Sequence, residues 1–193
     1  MVRTPAGWRE RMVGLAEGRL VPVAGSAPMD AAVPQGRQDA PEGTIIETSP
    51  ASAAVVYEVA GRLAGQGGAA LFIDYGHAEP RFGSSLQAVR AHRKVDVFSN
   101  PGDADLTAHV DFSALAPIAL SRGVQWLGTV EQGRWLRALG IDARAEALAA
   151  YAPTHAEAIH AARERLTGEG QMGVLFKVMG LAGPHWPQGA GFA

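Results

Sequence analysis

The stretch Ala70-Leu71-Phe72-Ile73-Asp74-Tyr75-Gly76-His77, "ALFIDYGH", decides the fold. An apolar run ends in an acid, a phenol, a glycine and an imidazole. Ala69 to Ile73 is apolar on both faces and follows a helical pattern, the mark of a central parallel strand covered by helices. Ligands of open α/β sheets sit beyond the carboxyl ends of such strands. Asp74, Tyr75, Gly76 and His77 would then line a crevice. In the other reading Asp74 caps a turn and His77 is solvated. The residues alone leave both open.

Upstream, Ser49 is placed to cap a helix, with Pro50 at its first position. Val55, Val56, Val59 and Leu63 follow at helical spacing before Gly65. The pattern predicts a helix over 50–64. Thr44 to Thr48 reads as a short strand. Residues 25–43 are rich in Gly, Pro and Ala without a period, and read as a long, mobile loop. Trp8 to Leu15 and Arg19 to Val23 flank Ala16-Glu17-Gly18, which predicts a β-hairpin.

Downstream, Ser84 to His92 is ambiguous between strand and helix. Asp105 to Phe112 alternates and reads as one strand. Ser113 is placed to cap a helix ending near Gly123. Val124 to Val130 reads as a strand and Glu131 to Leu139 as a helix stopped by Gly140. Thr154 and Glu157 form a capping-box pattern for a helix running to about Leu166. Gly173 to Leu181 is a last apolar strand, and 183–193 a Pro/Gly tail. This alternation predicts a layered α/β fold, with 1–193 as a single domain or domain fragment.

Hydrophobic residues make up 47% of the 193-residue chain, enough for a sizeable core. A net charge of −2 offers no electrostatic case for nucleic acid or an anionic membrane. Cysteine is absent, which excludes disulfides, thiolate nucleophiles and thiolate metal sites. No apolar run is long enough for a transmembrane helix, and the N-terminus lacks the apolar core of a secretory signal. The expectation is a cytoplasmic protein.

"DLTAHVDF", 105–112, places Asp105, Thr107, His109 and Asp111 on one face if it is a single strand. That face could hold a metal, form a hydrogen-bonded active-site wall, or simply be solvated. Without a third ligand at a visible spacing, no metal is assigned. The one G-x-G-x-x-G, at Gly168, Gly170 and Gly173, follows a helix and opens a strand, the reverse of a phosphate-cradling context. Ser52, Ser84 and Ser85 lack a nucleophile-elbow pattern. His155, His160 and His185 read as surface residues.

In order along the chain, "GWRERMV", "GGAALFIDYGH", "SLQAVRAHR", "NPGDADLTAHVDFSALA", "EQGRWLRALGI" and "MGVLFKVMGL" resemble the MidA-like family of class I S-adenosylmethionine (SAM) dependent methyltransferases. The resemblance runs from about Gly7 to Leu181. It implies part of a Rossmann-like, mostly parallel sheet, with an N-terminal β-hairpin insertion. Ala69 to Ile73 would be its fifth strand, and Val124 to Val130 and Gly173 to Leu181 its last two, the final one antiparallel. It implies methyl transfer from SAM to a protein arginine. The family's glycine-rich SAM loop, the acid after its second strand and its Asn-Glu-Phe stretch have no counterpart here. The chain is therefore expected to be the C-terminal half only, with weak or absent SAM binding by itself. Such a half would have an open sheet edge, and would self-associate or pair with the missing half.

SAM carries its own leaving group, so the protein must chiefly align nucleophile, methyl and sulfur. A guanidinium is protonated at neutral pH, so its methylation calls for acids that grip the fork. Asp74, Asp105, Asp111 and Glu131 are the acids at predicted strand ends. Tyr75, Thr107 and His109 could orient the substrate or take a proton, with Gly76, His77 and Gln132 nearby. Asp74, Tyr75, His109 and Asp111 are the catalytic candidates; Gly76, His77, Asp105, Thr107, Glu131 and Gln132 are candidates for substrate binding. The competing readings are a non-catalytic assembly module and a metal-dependent hydrolase built on His109 and Asp111.

Overall fold

The computed structural model describes residues 1–91 and 93–192. His92, at the end of the ambiguous segment, lies outside them. The strands in chain order are β1 (Val2–Thr4), β2 (Gly7–Ala16), β3 (Arg19–Pro28), β4 (Ala69–His77), β5 (Gln87–Arg90), β6 (Arg93–Val95), β7 (Asp105–Thr107), β8 (Val110–Asp111), β9 (Gln125–Glu131) and β10 (Phe176–Ala182). The α-helices are α1 (Pro50–Gln66), α2 (Phe112–Leu120), α3 (Gln132–Ala138), α4 (Ile141–Tyr151), α5 (Ala156–Thr167) and α6 (Met172–Leu175). The fold is mixed α/β. The chain divides into two compact units, Met1–Thr48 with Arg81–His109, and Ser49–Pro80 with the residues from Val110 onward.

In the first unit β1, β2 and β3 form an antiparallel sheet in that order. Glu17 and Gly18 turn β2 into β3 at φ 51 and 75, the left-handed pair whose twist suits a two-residue hairpin. β3 runs to Pro28, so part of the expected loop is strand. Beyond it Val33, Met29 and Ala40 pack around Trp8 and Ile46. The Trp8 indole donates to the Gln38 carbonyl at 3.0 Å. Thr44 to Thr48 forms no ladder, only a bridge between Ile45 and Val2. The ambiguous 84–92 segment contains β5, which pairs antiparallel with β6 and β7.

In the second unit a four-stranded sheet has the order β8-β4-β10-β9. β10 lies antiparallel between β4 and β9, and β8 runs parallel to the end of β4. Val56, Ala60 and Leu63 of α1 pack with Phe112, Leu115, Ala116 and Ala119 of α2, together with Met179 and Leu181 of β10. Ala70 and Phe72 join this core, whereas their neighbours Leu71 and Ile73 are 49% and 46% exposed. The expectation that both faces of this strand are buried is thus corrected. One face is packed, and the edge away from β10 has no strand partner over Ala69–Tyr75 among the described residues.

Local signals differ from expectation in three places. Ser49 caps α1 as its spacing predicts, accepting from the Ser52 amide at 3.2 Å. At α2 the cap is Asp111, not Ser113: the Asp111 carboxylate accepts from the Ala114 amide at 3.2 Å and from the Ser113 hydroxyl. The Thr154 capping box does not form, because Pro153–His155 make a tight 3-10 turn and His155 sits at the cap of α5. Met172–Leu175 is helix, so the last strand starts at Phe176. The G-x-G-x-x-G is a packing device: a Cβ on Gly173 would lie 2.2 Å from the Thr167 carbonyl.

Residues after Gly183 form a strap. The Gln125 amide nitrogen donates to the Gly183, Pro184 and Trp186 carbonyls at 2.9, 3.2 and 3.0 Å. Phe192 lies against Gly180 and faces the Trp135 ring at 6.2 Å.

Candidate functional site

β4 does not end at Ile73; it continues through Asp74-Tyr75-Gly76-His77, because both neighbouring strands reach that far. β10 pairs Lys177 with Asp74 and Phe176 with Tyr75. β8 pairs Val110 with Gly76 and Asp111 with His77. The polar tetrapeptide is therefore strand, not turn.

Lys177 is also opposite Glu131 on β9. A row Asp74–Lys177–Glu131 thus crosses three strands at one end of the sheet, and the Lys177 ammonium donates to the Val174 carbonyl. Asp74 and Glu131 are exposed. Asp74 also accepts from the Tyr75 amide at 2.8 Å. On the opposite face of the sheet the Tyr75 ring packs on Phe176 with centroids 4.3 Å apart. Acids in such a row can accept from a guanidinium.

His77 and Asp111 stand 3.6 Å apart, Nδ1 to Oδ1, and both are partly buried. His77 Nδ1 lies 2.6 Å from the Glu79 carbonyl. A carbonyl only accepts, so Nδ1 carries a proton. Asp111 spends its carboxylate chiefly on capping α2, which fixes where the pair sits.

Two candidates are taken up in packing. Gly76 is buried, and a Cβ there would lie 2.5 Å from the Val110 carbonyl and 2.7 Å from the Phe112 ring. It lets β8 and α2 close on β4 and contacts no ligand space. Gln132 is 6% exposed and donates to the Leu166 carbonyl at 2.9 Å, joining α3 to the end of α5.

The expected single face of Asp105, Thr107, His109 and Asp111 does not exist. The strand breaks after Thr107, where β7 pairs with β5 and β8 pairs with β4. Asp105, Thr107 and His109 belong to the first unit and Asp111 to the second. Among the described residues no three His, Asp or Glu converge as a metal site would require. No helix among them is long and apolar enough to cross a membrane.

Sequence reasoning missed Lys177 and Phe176, which sit inside an apolar run, and the knot around Glu47. The Glu47 carboxylate accepts from the Ser84 hydroxyl at 2.9 Å, the Ser85 amide at 3.0 Å and the Ser85 hydroxyl at 2.5 Å. Burial opposes its ionisation, but the bonds from Ser85, Ser84 and the Leu86 amide prevail and hold its pKa below the ordinary value.

A cleft of about 460 Å³ runs along the open edge of β4, lined by Ala51, Ser52 and Val55 of α1, by Leu71, Ile73 and Asp74, and by Phe112 and Leu115. Its lining is mostly apolar. The Ser52 hydroxyl is shared with Ser49 at 2.8 Å, which leaves Asp74 as its acid. SAM needs partners for a ribose diol, an amino acid head and an adenine edge, and this cleft does not fit it.

A family of putative S-adenosyl-L-methionine-dependent methyltransferases matches residues 1–130. The mitochondrial protein arginine methyltransferase NDUFAF7 of Xenopus tropicalis is 36% identical over 76% of this chain and 34% of its own length. That of Mus musculus is 34% identical over 95% of this chain and 42% of its own length. A crystal structure of a likely methyl transferase from Burkholderia thailandensis bound to S-adenosyl-homocysteine aligns at TM-score 0.78 and 31% identity, covering 99% of this chain and 51% of that one. The chain thus spans about a third to a half of the length of these relatives. The relatives' names also correct the expectation of a cytoplasmic protein, since they are mitochondrial. By the family match and these identities, the chain belongs to the family of putative SAM-dependent methyltransferases.

Proposed function

We infer that this chain is the acceptor side of a SAM-dependent protein arginine methyltransferase, the C-terminal half of its Rossmann-like sheet. The observation that carries the reading is the row Asp74–Lys177–Glu131, which sets two exposed acids at the same end of the sheet. The names of the NDUFAF7 relatives support arginine as the methylated residue. Asp74 and Glu131 grip the guanidinium and orient one nitrogen. His77 is proposed as the group that takes the proton the guanidinium must lose. Asp105, Thr107 and His109, which belong to the first unit, are proposed separately as contacts to the protein substrate.

The donor pocket, in this reading, is built with sequence that the longer relatives possess. The open edge of β4 and the apolar cleft along it support this, since a parallel strand laid there would cover Leu71 and Ile73. The same edge favours a second reading, a non-catalytic assembly module that only pairs with a partner. One experiment separates them. Methyl transfer from labelled SAM to an arginine-rich protein is measured with the chain alone and with the preceding half of a relative added. Transfer only on addition supports the enzyme reading. No transfer despite a stable complex supports the module.

A further inference from the structure

Ser84 and Ser85 have no part in the function read above, yet they sit in the densest polar knot of the first unit. The Ser85 hydroxyl donates to Glu47 at 2.5 Å and accepts from the His109 amide at 2.8 Å. One hydroxyl thus ties together three chain positions separated by 38 and 24 residues. Ser84 adds a second bond to the same carboxylate and receives the Arg11 guanidinium at 3.4 Å. β7 has ended at Thr107, so no ladder holds the His109 amide; Ser85 does.

We propose that Glu47 is a positioning residue for the acceptor side, fixing through the Ser85 hydroxyl the backbone at His109. This rests on the reading of His109 as an acceptor-side residue. The carboxylate removes the rotational freedom of Ser85. Its hydroxyl proton goes to Glu47, so a lone pair faces the His109 N–H. A hydrogen bond to an ionised acceptor also polarises that hydroxyl and strengthens the bond it accepts.

The test uses the whole chain and the variants Glu47→Gln, Ser85→Ala and Ser85→Thr. Hydrogen exchange is read at the His109 amide, and the His109 imidazole line by NMR. Ser85→Ala and Glu47→Gln should each speed the exchange about ten-fold, the loss of one net hydrogen bond, and shift the imidazole line. Ser85→Thr, which keeps the hydroxyl, should restore both. Lines of His155, His160 and His185 should stay in place. Unchanged exchange in Ser85→Ala, or Ser85→Thr behaving like Ser85→Ala, overturns the proposal. Unchanged exchange in Glu47→Gln removes Glu47 from it. Neither readout depends on methyl transfer, so an inactive but correctly pinned chain would sink the acceptor reading alone.

Discussion

Lys177 on β10 stands directly across from Asp74 on β4, and its other strand neighbour is Glu131. The Lys177 ammonium itself donates to the Val174 carbonyl. Both acids are exposed, so their presence is not explained by folding alone. If they grip a guanidinium, Asp74→Asn and Glu131→Gln should each cut kcat/KM for methyl transfer by about 10- to 100-fold, the worth of a charge-assisted bond. Thermal unfolding should move little, since exposed substitutions stay within about 0.5 kcal/mol. Full activity in both variants would remove the acids from the site.

The Glu47 carboxyl has a lower pKa folded than unfolded. A depressed carboxyl contributes stability above its unfolded value of 4.5, and that contribution is lost as pH falls through the folded value. Urea midpoints of the wild-type chain should therefore fall on acidification below that range. Glu47→Gln should be less stable than wild type at pH 7, and the gap should narrow in acid. A gap that stays constant with pH would mean the carboxylate's charge is irrelevant to the knot.

Gly76 is buried where β8 and α2 meet β4. An added methyl would meet the Val110 carbonyl and the Phe112 ring, neither a flexible chain end. Gly76→Ala should cost about 1–3 kcal/mol, as overpacking does, and lower the unfolding midpoint by several degrees. Gly65→Ala is the control: nothing lies within 4 Å of its Cβ position. It should be neutral or slightly stabilising in its helix. Equal effects of the two would contradict the close approach.

The apolar run before Asp74 was legible because a strand buried on a face must be apolar whatever its partners. That Asp74 to His77 stay in the strand was not, because β10 and β8 supply their pairing from residues far along the chain. Alternation in Asp105 to Phe112 suggested one strand; the two halves instead joined different sheets, a choice made by β5 and β4 and not by the segment. Ser49 declared itself as a cap since capping is local. Thr154 failed because Pro153 opened a tighter turn first. Lys177 was hidden inside an apolar strand, and the Glu47–Ser85 bond by a separation of 38 residues.

The open edge of β4 makes the last prediction. Leu71 and Ile73 are half exposed beside backbone groups with no strand partner among the described residues. Such an edge recruits another strand, and an isolated copy finds one in its neighbour. Light scattering should show concentration-dependent association of the chain alone. Ile73→Lys should suppress it, since a charged side chain at an edge must be desolvated to pair. The substitution should cost little intrinsic stability, because the position is 46% exposed. It should also weaken capture of the preceding half of a relative, and with it any restored methyl transfer, by at least about ten-fold, as burying an unpaired lysine would require. A monodisperse wild-type monomer whose capture is indifferent to Ile73→Lys would show that the edge is not where the sheet is completed.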